Sequence, residues 1–165
     1  MNVKVRVLAV ASDRGRSAAN TMAKRTRIKV GDVFGIPLAE QAYSLSLCTF
    51  VFRTFKNCIA CRIFDAMFDD PILVEPMPTV AAFDPLFMGK QIITAGTWPI
   101  VGNIDVDFGP LMFRVADGKY NGDSYVGQAD TGDLPELLVY GPVGVQQLLR
   151  QHFGLDTSRR TRRCT

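Results

Sequence analysis

The residues able to do chemistry are few and loosely grouped. Cys58-Ile-Ala-Cys61 has the two-residue spacer of metal-binding and disulfide-exchange pairs. It lies in a strand-like run, where positions three apart face opposite sides of the chain. The sole histidine, His152, falls far away in a helical pattern, and no second close pair completes four ligands. Carboxylates are the other candidates. Asp105 and Asp107 share a face if they lie in a strand, and Asp65, Asp69 and Asp70 crowd one turn; either set could hold a hard cation or work as acid and base. Loop aspartates more commonly cap turns and face water. No glycine-rich phosphate loop and no nucleophile elbow is present. The expectation is a chain with no catalytic residue, no metal and no cofactor. Its four cysteines are read as reduced, mostly buried thiols of a cytoplasmic protein.

The elements that would carry these residues are mainly strands. Val33 to Leu38 has strand-forming residues, with Pro37 limiting it to an edge or a strand end. Ala39 to Ala42 links it to Tyr43–Phe52, where Tyr43, Leu45 and Leu47 alternate with Ser44 and Ser46 before both faces turn apolar. Arg53 to Asn57 makes a turn, and Cys58–Phe68 returns as a strand stopped by Asp69-Asp70-Pro71. Pro71 to Pro85, with four prolines, predicts a loop with one short helical turn. Phe87–Ile93, Phe108–Val115 and Leu137–Tyr140 are further strands, and Asn121-Gly122 has hairpin chemistry. In Gly96-Thr-Trp-Pro-Ile-Val-Gly102, Pro99 extends the backbone at Trp98 and the glycines allow bends at either end. The single tryptophan then centres a core. Gly141–Gly154 is a helix, with Pro142 in its first turn, Gly154 at its stop, and Val145, Leu148, Leu149 and Phe153 as one apolar stripe. The fold expected is α+β, mainly β: a curved antiparallel sheet or partly open barrel with a C-terminal helix packed on it.

At 165 residues, 47% hydrophobic and 21% charged, the chain is long enough for one domain with a proper core. No apolar run approaches the roughly 20 residues that span a bilayer. The net charge of +3 conceals a division. Residues 1–30 hold eight Lys/Arg against one Asp, and residues 150–165 hold five Arg against one Asp. Residues 31–149 hold six Lys/Arg against fourteen Asp/Glu, a balance of −8. The reading is a basic, disordered extension over 1–27, an acidic β-rich domain over 28–154, and an arginine-rich tail over 155–165. Met22-Ala-Lys-Arg25 reads as an alternative start. Basic ends of this kind can hold nucleic acid by neutralising phosphate, which is the weaker reading here; an enzyme with an aspartate site is weaker still.

Lys29-Val-Gly-Asp-Val-Phe-Gly-Ile-Pro-Leu38, followed by the strand opening at Tyr43, resembles the opening of the immunity protein 26 family of bacterial polymorphic toxin systems. Ala95-Gly-Thr-Trp-Pro-Ile-Val-Gly-Asn103 is similar to that family's later tryptophan-centred segment. The resemblance covers about residues 28 to 115. It implies a small cytoplasmic protein that binds a cognate toxin domain and blocks its active or an adjacent surface, without catalysis. Gly31, Asp32, Pro37, Trp98, Pro99 and Gly102 are then residues of the family's structural motifs.

The charge pattern agrees with a binding role. A toxin acting on nucleic acid carries a basic surface, which an acidic body attracts and steers. The densest acidic stretch is 101–140, with Asp105, Asp107, Asp117, Asp123, Asp130 and Asp133. Tyr120 and Tyr125 lie within it as candidate anchors. These eight residues are the expected partner-binding set.

Overall fold

The computed structural model of the protein describes residues 4–7, 26–105, 107–128 and 133–155. Its strands are β1 (Lys4–Val7), β2 (Asp32–Ala39), β3 (Ala42–Val51), β4 (Cys58–Phe68), β5 (Ala81–Gly89), β6 (Ile100–Asp105), β7 (Met112–Val115), β8 (Gly118–Asn121), β9 (Ser124–Gln128) and β10 (Val139–Tyr140), with helices α1 (Gln91–Thr94) and α2 (Pro142–His152). Seven strands form one open sheet in the order β1-β6-β2-β3-β4-β5-β10, and β7-β8-β9 form a second. Pairing is antiparallel except where β10 runs parallel to β5. The protein is mainly β, with its C-terminal helix against the large sheet.

The β2–β3 hairpin closes through Glu40-Gln41, with Gln41 at φ +57° and Ala39 facing Ala42. β2 is an interior strand of the sheet, yet Pro37 sits where one side lacks a strand neighbour, because β6 pairs only as far as Phe34. Helix side chains cover that gap. Gln146 Nε2 donates to the Pro37 carbonyl at 2.8 Å and Arg150 Nη1 to the Leu38 carbonyl at 2.6 Å. A proline costs the ladder least where no strand needs its missing N–H.

Both faces of the sheet are buried at its centre, over β2, β3 and the first half of β4. Phe34, Ile36 and Leu38 face α2, packing with Ile63, Met88, Val145 and Leu149. Ser46 and Ser44 stand opposite Phe34 and Ile36, so the serine side of β3 also lies inside. Small side chains there leave room for the helix. Ser46 donates to the Arg62 carbonyl at 3.3 Å, while the Ser44 hydroxyl has no partner among the described residues. On the reverse face Val33, Leu45, Leu47 and Val101 pack beneath Leu73, Val74 and Met77 from the proline-rich stretch. Gly35 makes this crossing close, since a Cβ there would stand 2.6 Å from Pro71 Cβ.

Trp98 is 1% exposed and its ring stacks on Phe34 at 6.5 Å. It follows the turn after α1, where Gly96 takes φ +81°. Gly102 is not at a bend: it continues β6, opposite Val33 and beside a register shift. α2 ends as its sequence predicts. Gly154 adopts φ +71°, with Gly154 N–H on the Gln151 carbonyl and Leu155 N–H on the Arg150 carbonyl, a Schellman closure.

Several boundaries differ from the expectation. Residues 71–80 hold no helical turn, and Ala81–Pro85 already belongs to β5 despite the proline. The strand expected over Phe87–Ile93 ends at Gly89; Gln91–Thr94 is helical because the chain must turn before Trp98. Ile100–Asp105 is a strand in its own right, and the strand expected over Phe108–Val115 begins only at Met112. Only Val139 and Tyr140 of 137–140 pair, with β5. The hairpin loop is Gly122-Asp123, one position later than expected, since Asn121 faces Ser124. Glycine at its first position with φ +57° fits a type II′ turn. Within the expected N-terminal extension, Lys4–Val7 pairs with Gly102–Asp105 as an edge strand. Its alternating valines give it a strand's residue pattern.

Candidate docking surface

β7, β8 and β9 form a small sheet whose inner face is aromatic. Phe113 on β7 stands opposite Tyr120 on β8, which stands opposite Tyr125 on β9. The Phe113 and Tyr120 rings stack at 5.6 Å, and Tyr125 meets Tyr120 edge-on at 5.6 Å. This ladder runs from core to surface: Phe113 is fully buried among Phe52, Phe55 and Phe87, Tyr120 is half-buried, and Tyr125 is 60% exposed. Next to it Val126 is 50% exposed. Among the described residues β9 is an unpaired edge of this sheet, with an added residue at Val126 where the register shifts.

The hairpin is tied down at its tip. One Asp123 carboxylate oxygen accepts the backbone N–H groups of Arg53 and Thr54, both at 2.9 Å. Gly122 presses on Phe50, where a Cβ would come within 2.6 Å of the ring, and its N–H donates to the Leu111 carbonyl at 2.8 Å. These contacts fix the hairpin tip against the β3–β4 loop.

The expected partner-binding residues do not form one rim. Tyr120 and Tyr125 come together, while Asp117 and Asp123 cap opposite ends of β8, on the order of 10 Å apart. Asp117 is exposed; Asp123 is engaged by the β3–β4 loop. Asp105 ends β6 opposite Lys4, and Asp107 lies outside the strand, its carboxylate accepting the Gly109 N–H at 3.0 Å. Asp133 is exposed, and Asp130 lies outside the described residues. Val126 was missed by sequence reasoning, because nothing in its type marks β9 as the edge.

Between the two sheets lies a cleft of about 340 Å³, walled by Pro85, Phe108, Pro110, Leu111 and Pro135. Arg62 and Asp84 form an ion pair at its side, Nε to Oδ2 at 2.8 Å.

Apart from Pro37, which lies under α2, the motif residues sit at the joint between β2 and β6. Gly31 takes φ +92°, and a Cβ there would run into the Ile104 carbonyl oxygen. Buried Asp32 accepts from the Lys29 N–H and from Asn103 Nδ2, each at 2.9 Å. The Pro99 carbonyl accepts from the Gly35 N–H at 2.9 Å.

Among the described residues no group of three His, Cys, Asp or Glu is placed to hold a metal ion. Cys58 and Cys61 face opposite sides of β4, in different core clusters. Burial pushes the Cys58 thiol up to about 11 and the Cys61 thiol up to about 12. His152 Nε2 pairs with Asp65 Oδ1 at 2.7 Å and its ring meets Phe83 edge-on, pinning the end of α2 to β4 and β5. No described helix is long and apolar enough to cross a membrane. No protein-family model matches the chain, and neither does any curated protein or solved structure.

Proposed function

We propose that this protein is a binding protein that neutralises a cognate toxin, a basic nucleic-acid-directed toxin domain, by docking on it through the β9 edge. The observation that carries the reading is the aromatic ladder ending at Tyr125. A large ring is 60% exposed yet backed by rings continuous with the core, the character of an interface anchor. The acidic balance over 31–149 supplies steering toward a basic partner. The resemblance of Lys29–Leu38 and Ala95–Asn103 to the immunity protein 26 family supports the class of partner.

The test is co-expression with a basic, nucleic-acid-directed toxin domain, sought first in the neighbouring reading frame. Growth should be restored, and the two chains should co-purify as a complex weakened by Tyr125→Ala. Continued killing with well-folded protein present, or a complex indifferent to Tyr125→Ala and Val126→Asp, would overturn the reading.

A further inference from the structure

Cys48 and Cys61 stand directly opposite each other on β3 and β4. The Cys48 carbonyl accepts the Gly31 N–H at 2.8 Å, so the main-chain polar groups of Cys48 turn away from β4. In an antiparallel pair this marks a non-hydrogen-bonded position, with Cα atoms about 4.5 Å apart and side chains at their closest. A disulfide bridges Cα separations of roughly 4.4–6.8 Å. Both side chains enter the core under α2, whereas Cys58 lies on the other face. Both thiols are free and turned apart: Cys48 donates weakly to the Phe50 carbonyl at 3.8 Å, and Cys61 to the Leu86 carbonyl at 3.4 Å.

We infer that Cys48 and Cys61 form an oxidative modification site, a cross-strand dithiol that a hydroperoxide closes to a disulfide. One sulfur, as thiolate, attacks a peroxide oxygen; the O–O bond breaks, and the departing oxygen takes a proton and leaves as water or alcohol. The second sulfur then attacks the resulting sulfenic acid, forming the S–S bond and expelling hydroxide, which leaves as water with the second thiol's proton. The peroxide is reduced and the two sulfurs are oxidised. A χ1 change at each cysteine brings the sulfurs together. Burial keeps thiolate scarce at neutral pH, so closure is slow there and quickens as pH rises.

The test uses the full chain carrying C58S and C164S, treated with hydrogen peroxide at pH 7 and pH 9 and mapped as non-reduced peptides. The expected product is a monomer in which the Cys48 and Cys61 peptides are joined, both thiols vanishing together. Its rate should rise about tenfold per pH unit. Its thermal midpoint should rise and return on reduction. Adding C61S should abolish the joined peptide. Mapping the unsubstituted chain keeps the test valid if those variants fold poorly. Disulfides to Cys58, Cys164 or a second molecule, independent over-oxidation of each thiol, or loss of thiols only on global unfolding would each overturn the inference.

Discussion

Asp123 and Thr54 grip each other in both directions. The Asp123 carboxylate accepts the Thr54 backbone N–H at 2.9 Å, and the Thr54 hydroxyl donates to the Asp123 carbonyl at 3.2 Å. The contact joins the tip of the β8–β9 hairpin to the loop between β3 and β4, and with it the small sheet to the large one. Asp123→Ala should cost about 1–2 kcal/mol, the net worth of two charge-assisted bonds whose exposed donors turn to water. Asp123→Asn, keeping one acceptor oxygen, should recover most of that. Urea denaturation and amide exchange at Arg53 and Thr54 measure both.

Tyr125 and Tyr120 touch, yet they should behave oppositely. Tyr125→Ala should change stability by no more than about 0.5 kcal/mol, because the ring is mostly exposed. It should weaken toxin binding by about 2 kcal/mol, roughly thirtyfold. Tyr120→Ala should cost about 2–3 kcal/mol of stability by emptying the space beside Phe113. Calorimetric titration alongside thermal unfolding separates the two.

Ser44 presents a buried hydroxyl with no partner inside the described residues. Ser44→Ala should be neutral or stabilising by about 1 kcal/mol, because an unpaired buried hydroxyl is costly. A drop of more than about 1 kcal/mol on chemical denaturation would show that the hydroxyl is satisfied.

The buried thiols set a limit at high pH. The folded values of Cys58 and Cys61, about 11 and about 12, lie above the ordinary thiol value, so the folded state favours the neutral form. Their contribution is fully present below the unfolded thiol value and is lost as pH rises towards the folded ones. The urea midpoint should fall between about pH 9 and pH 12, and Cys61→Ala should flatten that fall.

Gly31→Ala should be among the most damaging single changes. It forces a side chain into a left-handed backbone and against the Ile104 carbonyl. Strain of this kind costs on the order of 1–3 kcal/mol before the clash is counted. Circular dichroism on heating should show a lower midpoint, with the β2–β6 joint losing exchange protection first.

The mainly β character, β2, β3 and β4, and the closing helix were legible in the chain because each is a local matter. Alternation, the Asp69-Asp70-Pro71 stop, Pro142 and Gly154 act within a few residues of where they stand. The positive-φ turn glycine at 122 was recognised, though the loop was placed one residue early. The boundaries around Pro85 and Gln91 were missed, because Pro85 falls in a register shift against β4 that only the paired strand reveals.

By itself, the sequence determined which segments extend, where the helix starts and stops, and that an acidic body lies between basic ends. Only the tertiary structure decided that the serine side of β3 faces inward, that Cys48 stands opposite Cys61, and that Tyr125 surfaces on an edge strand. Each of these depends on strand order and register. Those are settled by packing between segments distant in the chain, and no local pattern encodes them.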